Sequence, residues 1–247
     1  TSALDPTTPM YQSAKQLAAP KTSQQRMWRY LSTDRLREIL DSLTIHFGRV
    51  SRFEDGLEGR LTARSRQRLI DWFIRQGSAP TVALEEVKQY ETHSDAFFAN
   101  CWHMNEHESY LMWRAYAHKG VAISTTFERM QASFSESPGA VSGGVVTYVD
   151  FDRDHTGLGQ VFTHVTTKDL PYSDEREFRL LVWQPDPKNT VLAFDGDGVA
   201  IPVDVGMLVA RVVRNPFQPE LPRELVSRLA ELQIPYDDSN VRARSQS

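Results

Sequence analysis

Residues 97–125 read FFANCWHMNEHESYLMWRAYAHKGVAIST, and this stretch decides the fold class. Phe97-Phe98-Ala99-Asn100-Cys101-Trp102 is aromatic and mostly apolar, the composition of a buried strand. From Glu106 to His118 the pattern changes. Tyr110, Trp113, Tyr116 and Ala117 recur at helical spacing, and Gly120 ends the run. Val121 to Thr125 then reads as a strand again. Upstream, Met27 to Leu31 is strand-like. Ser32 or Thr33 caps a helix with Leu36, Ile39, Leu40 and Leu43 on one face, and Thr44 to Phe47 is a short strand. Gly56 and Gly59 mark a loop. Helices follow over about 60–76, with Leu61, Leu69, Trp72 and Phe73 as its buried positions, and over about 81–91. Downstream, a short helix is predicted from Phe127 to Phe134. Strands are expected at Val145–Phe151, Glu177–Trp183, Thr190–Phe194, Val199–Val203 and Met207–Arg214, and a last helix over about 219–232. Strands and helices mix without βαβα alternation. The expectation is a single α+β domain whose mixed or mostly antiparallel sheet is flanked by helices.

At 247 residues, with 40% apolar and 24% charged residues, the chain has the balance of one globular domain with a sizeable core. Residues 1–25 are rich in Ser, Thr, Gln and Pro and are expected to form a disordered arm. The domain then covers 26–240, and 241–247 form a frayed tail. No apolar run reaches about 18 residues and no secretory pattern opens the chain, so no membrane partner is expected. The lone Cys101 fits a reducing, cytoplasmic setting. A net charge of −4 gives no general affinity for nucleic acid. P-loop, Rossmann and nucleophile-elbow signatures are all absent.

Three stretches resemble a known family. They are Trp28-Arg29-Tyr30 followed by a helix, Ile45-His46-Phe47 and Arg52 to Gly59; then Cys101 to Ser109, continuing through Met112 to Tyr116 and Gly120 to Thr126; and Glu175-Arg176-Glu177-Phe178-Arg179. Together, over roughly residues 27–240, they resemble the bacterial family catalogued as domain of unknown function 2971. The order of the motifs also resembles ADP-ribosyltransferases of the Arg–Ser–Glu type. The matching positions are Arg29, Ser124-Thr125-Thr126 and Glu175-Arg176-Glu177, with Thr126 where that group has Ser.

This second resemblance implies an enzyme that uses NAD as a substrate, either transferring ADP-ribose to a protein or nucleic-acid acceptor or hydrolysing NAD. In a bacterium such an enzyme suits a toxin or a phage-defence effector. Glu177 would stabilise the oxocarbenium-like centre, and Glu175 would orient or deprotonate the acceptor. Arg29, beside Tyr30, would bind a phosphate. Ser124 and Thr125 would position Glu177 or the ribose, Trp113 and Tyr116 would stack on nicotinamide, and His103 would face the pocket. Each residue also has an ordinary structural reading. Glu175 to Glu177 resembles a solvated charged run, Arg29 a snorkelling strand residue, and Trp113 and Tyr116 a core stripe. Ser124 to Thr126 would then cap the helix starting at Phe127.

His103 to Glu108 has two His, but not in the order of a zinc protease. Asn105 with Glu108 reads better as a capping box, and no metal is expected. Two further readings remain. Glu54, Asp55 and Glu58, or the Glu175/Glu177 pair, with Arg60, Arg64, Arg66 and Arg68 beside them, would suit a metal-dependent nuclease. The aromatic centre would suit a non-catalytic sensor or interaction module. The oligomeric state is left open by the sequence.

Overall fold

The central strand predicted over Phe97–Trp102 is the hub of a ten-stranded sheet. In the computed structural model, which describes residues 11–135, 140–158, 160, 162–185, 192, 194–195, 198–218 and 220–241, the chain is α+β with a mixed, mostly antiparallel sheet. In chain order the elements are β1 (Arg26–Ser32), α1 (Thr33–Ser42), β2 (Thr44–Arg49), α2 (Ala63–Arg75), α3 (Pro80–Glu91) and β3 (Phe97–Met104). They continue with α4 (Tyr110–Tyr116), β4 (Gly120–Thr126), α5 (Phe127–Ala132), β5 (Ser142–Val145), β6 (Thr147–Val149) and β7 (Thr167–Asp169). The last are β8 (Glu177–Trp183), β9 (Phe194–Asp195), β10 (Gly198–Pro202), α6 (Val205–Leu208), β11 (Arg211–Arg214), α7 (Arg223–Glu231) and β12 (Tyr236–Asp237).

The sheet forks at β3. One edge of β3 pairs with β8 along its whole length, from Phe97↔Trp183 to His103↔Glu177. The other edge is shared. β2 takes its start, through Gly48↔Ala99 and Arg49↔Phe98, and β1 takes its end, through Met27↔Met104 and Trp28↔His103. Asn100, Cys101 and Trp102 have no partner strand on that edge. Asn100 Nδ2 bridges part of the gap by donating to the His46 carbonyl at 2.7 Å. β1 leads on to β4, β11 and β12, and β2 to β10 and β9.

Alternation along β3 and β8 separates two faces. Phe98, Trp102, Phe178, Leu180 and Val182 enter the main core with the apolar faces of α1 and α7. Ala99, Cys101 and His103 stand opposite Leu181, Arg179 and Glu177 on the other face. Ser32 caps α1, accepting from Arg35 N at 3.2 Å, and Leu36, Ile39 and Leu40 are buried as expected. Thr126 caps α5, accepting from Arg129 N at 3.3 Å.

Several boundaries differ from the sequence reading. The first ten residues lie outside the described residues, but 11–25 are laid along the domain rather than forming a loose arm. Gln12 N donates to the Val141 carbonyl, Val145 N to Ala18, and Glu128 N to Ser23. The segment gains its order from these bonds and from Tyr11 and Leu17 packing on distant core residues, which leaves no apolar period to read. The helix expected from Glu106 starts only at Tyr110, because Ser109 is the N-cap, accepting from Met112 N. Asn105 and Glu108 therefore form no capping box. The stretch expected as strand Met207–Arg214 is split into α6, capped by Asp204, and β11. Val145–Phe151 is divided between β5 and β6. Trp72, expected in the core, is 47% exposed. Much of Thr190–Phe194 and the tail from 242 lie outside the described residues.

Candidate active site

The fork of the sheet opens onto a cavity of about 730 Å³. β1, β2, β3 and β8 supply its floor, the 52–58 loop and α4 its walls, and the segment Lys168–Glu175 its far side. Of the residues singled out in the sequence, Arg29, Tyr30, His103, Tyr116, Glu175 and Glu177 all line it.

Ser124, Thr125 and Trp113 are not in the lining. Ser124 sits on β4, separated from β8 by β1 and β3, and its hydroxyl accepts from Arg211 Nε at 3.2 Å. It has no path to Glu177. Thr125 is buried beside it. Trp113 is wholly buried, with its ring edge-on to Tyr30 and its indole donating to Glu108 at 3.0 Å. Its helical spacing marked a core position and not a stacking platform.

One side of the cavity is a set of ion pairs in which Glu58 Oε2 alone has no hydrogen bond among the described residues. Arg179, fully buried, meets Glu177 in a fork, with Nε to Oε1 at 2.8 Å and Nη2 to Oε2 at 3.0 Å. Its Nη2 also lies 2.6 Å from Glu58 Oε2, and its Nη1 donates to the Val165 carbonyl. Lys168 Nζ reaches three carboxylates: Glu175 at 2.6 Å, Glu58 at 3.0 Å and Glu177 at 3.6 Å. Tyr116 completes Glu175 by donating to its Oε1 at 2.7 Å. Burial pushes the Glu58 carboxyl up. Burial acts the same way on Glu177, but Arg179 and Lys168 outweigh it and hold that carboxyl below its ordinary value. Lys168 stays charged despite desolvation because of the carboxylates around it.

The backbone that sets this up is unusual at two points. Glu175 is not on the strand but ends a 3₁₀ turn. Arg176 follows in the left-handed region, φ 43°, and Glu177 then opens β8. The reversal at Arg176, sterically costly for a residue with a Cβ, brings both carboxylates onto Lys168. Gly59, φ 72°, turns the chain just behind Glu58, and a Cβ there would fall 2.6 Å from that of Ser94.

The other side of the cavity is not compensated. Arg29 Nη1 is buried with no hydrogen-bond partner among the described residues, and desolvation lowers the guanidinium pKa to about 10. His103 Nε2 is likewise buried and unpartnered, while Nδ1 is held by the Glu175 carbonyl. A carbonyl oxygen only accepts, so Nδ1 has the proton and Nε2 the lone pair. Burial keeps this imidazole below its ordinary pKa. Cys101, on the same face, is half-buried, and desolvation pushes its thiol well up, which makes it a poor thiolate nucleophile.

Lys168 and Arg179 had no role assigned from sequence. Lys168 lies in an unpatterned stretch and left no signal. Arg179 did leave one. A charged residue between Phe178 and Leu180, two along from Glu177 in a buried strand, requires a buried partner on its own face.

The carboxylates of the nuclease reading, Glu54, Asp55, Glu58, Glu175 and Glu177, all line the cavity, but Glu58, Glu175 and Glu177 are ion-paired with Lys168 and Arg179. Arg60 lines a smaller neighbouring hollow, and Arg66 pairs with Glu91 at 2.7 Å. Among the described residues no group of three His, Cys, Asp or Glu side chains is gathered as a metal would need. Among the described residues no helix is long and apolar enough to cross a membrane. Compared with known proteins, the chain matches no family model, no curated protein and no solved structure.

Proposed function

We propose that the protein binds NAD in the forked cavity and cleaves its nicotinamide–ribose bond, passing ADP-ribose to water or to a macromolecular acceptor. The observation that supports this most is the pairing, within one cavity, of the half-buried Arg29, whose Nη1 is buried and unpartnered among the described residues, with the carboxylates of Glu175 and Glu177. A buried cationic donor left unpaired is costly, and a bound anion removes that cost. In this reading Arg29 takes a phosphate of the dinucleotide. The carboxylates face the ribose, where positive charge develops as the glycosidic bond breaks. Tyr30, Phe53, Tyr116 and Tyr172, all in the lining, supply flat apolar surface for the ring systems.

One observation favours a second reading, a non-catalytic module that holds a nucleotide. Both oxygens of Glu177 are taken by Arg179, and both of Glu175 by Tyr116 and Lys168. Calorimetric titration with NAD, followed by assay of released nicotinamide, separates the two. Binding with release supports the enzyme, and binding without release supports the module. No binding by the folded protein removes both.

A further inference from the structure

Resting on the NAD-cleaving reading, we propose that His103, through Nε2, takes the proton from the acceptor, and that this acceptor is water or a hydroxyl group. His103 is set apart from the carboxylates of the ion cluster because its basic atom is in no ion pair. Glu177 accepts twice from Arg179. Glu175 accepts from Tyr116 and from the Lys168 ammonium, and Glu58 is paired with Lys168 and Arg179. Protonating any of them would break an ion pair that is almost wholly out of water, so none is well placed as a base.

His103 differs. Its Nδ1–H is fixed by the Glu175 carbonyl, whose direction is set by the left-handed turn at Arg176. The Arg176 carbonyl is itself held by Met104 N at 2.9 Å. The ring is further held by Tyr30, edge-on at 6.4 Å from β1. Around it stand Glu177 on β8, directly opposite in register; Cys101 two residues back on β3; Tyr116 on α4; Lys168 on β7; and Glu175 and Arg176 on the turn. Desolvation holds the imidazole below its ordinary pKa, which favours the neutral ring, and the residue lines the cavity with Nε2 buried and unpartnered among the described residues.

The step balances simply. The acceptor oxygen bonds to ribose C1′ as the C1′–N bond breaks. The bonding pair goes to the nicotinamide nitrogen, which leaves neutral, and the acceptor proton goes to Nε2 and then to solvent. A neutral imidazole suits an O–H acceptor assisted in the transition state. It does not suit an arginine side chain, whose pKa lies above about 12.

The test is nicotinamide release from NAD by the full chain from about pH 5 to about pH 8, for the parent, His103→Ala and His103→Gln. The parent should lose rate on the acid side, below His103's ordinary range. His103→Ala should lose kcat about 100-fold or more with little change in KM, and should lose the acid limb. Added imidazoles should restore its rate in order of basicity and not of size. If His103→Ala does not fold, His103→Gln, which keeps a polar atom near Nε2 but no useful proton affinity, decides in the same way. Parent-like kcat and acid limb in the variants overturn the role of His103 while leaving the NAD reading intact. So does an acid limb lost in Asp55→Asn instead, since Asp55 Oδ2 is another unpartnered acceptor of the lining. A folded parent that releases no nicotinamide overturns both.

Discussion

The two sides of the cavity are built on opposite principles. On the β8 side, Glu58, Lys168, Glu175, Glu177 and Arg179 are ion-paired across distances of 2.6 to 3.6 Å, although Glu58 Oε2 meets Arg179 without hydrogen-bond geometry. On the side of the fork, Arg29 Nη1 and His103 Nε2 have no partner among the described residues. An ion-paired network fixes geometry and supports the fold. An unpaired buried group costs stability, which makes sense where a ligand completes it. The contrast implies that substitutions on one side act mainly on folding and those on the other mainly on binding.

The largest effect expected is Arg179→Ala. It strands Glu177 and Glu58 as buried uncompensated carboxylates and should cost about 3–5 kcal/mol, read as a lower denaturation midpoint. A loss under about 1 kcal/mol would show that the network contributes little to folding.

Acid should reach the same side from beneath. His164, next to the Val165 carbonyl that receives Arg179, is buried with both ring nitrogens unpartnered among the described residues, and burial lowers its pKa to about 4. The folded state therefore prefers the neutral ring. The stability this gives is complete above the unfolded pKa, near 6.5, and is lost as pH falls toward 4. The loss should be about 3 kcal/mol. Urea denaturation at both ends of that window should show a shallower pH dependence in His164→Leu than in the parent, and equal slopes would remove His164 from the account.

Arg29→Met should invert the pattern. It removes a half-buried guanidinium whose Nη1 is unpartnered among the described residues, so stability should hold or rise by about 1 kcal/mol. NAD affinity should fall about 10- to 100-fold, the worth of a charged hydrogen bond. Calorimetry and a thermal melt on one preparation measure both. The smallest effect belongs to Ser124→Ala, because that hydroxyl is tied to Arg211 outside the cavity. Turnover should be unchanged, and a large loss would restore the Arg–Ser–Glu arrangement.

The α+β class was legible because it rests on local signals. The Phe97–Trp102 run, the apolar face of α1 and the strand at Glu177–Trp183 each announced themselves through period or composition. Part of the site was legible in the same way, as unusual polar residues inside strands, such as Arg29 and His103. What stayed hidden depends on distance in sequence. Nothing near Lys168 hints at Glu58, and nothing near Ser124 says that two strands will stand between it and Glu177. Residues 11–25 differ from the expected arm for a related reason, since isolated contacts with distant residues carry no local pattern.

The fork at β3 also governs when the site comes into being. Its three neighbours arrive from far along the chain: Gly48 pairs with Ala99, Met27 with Met104, and Phe97 with Trp183. Ladders of this kind must close large loops before any contact rewards them, so folding is expected to be slow and governed by topology. During synthesis the first hundred residues emerge with the fork's two arms but without the strand that carries Glu177 and Arg179. Lys168, emerging shortly before that strand, meets Glu58 but no Glu175 or Glu177 until the turn at Arg176 is made. A nascent or truncated chain lacking β8 therefore lacks Glu177 and Arg179, and the cavity is complete only when β8 docks.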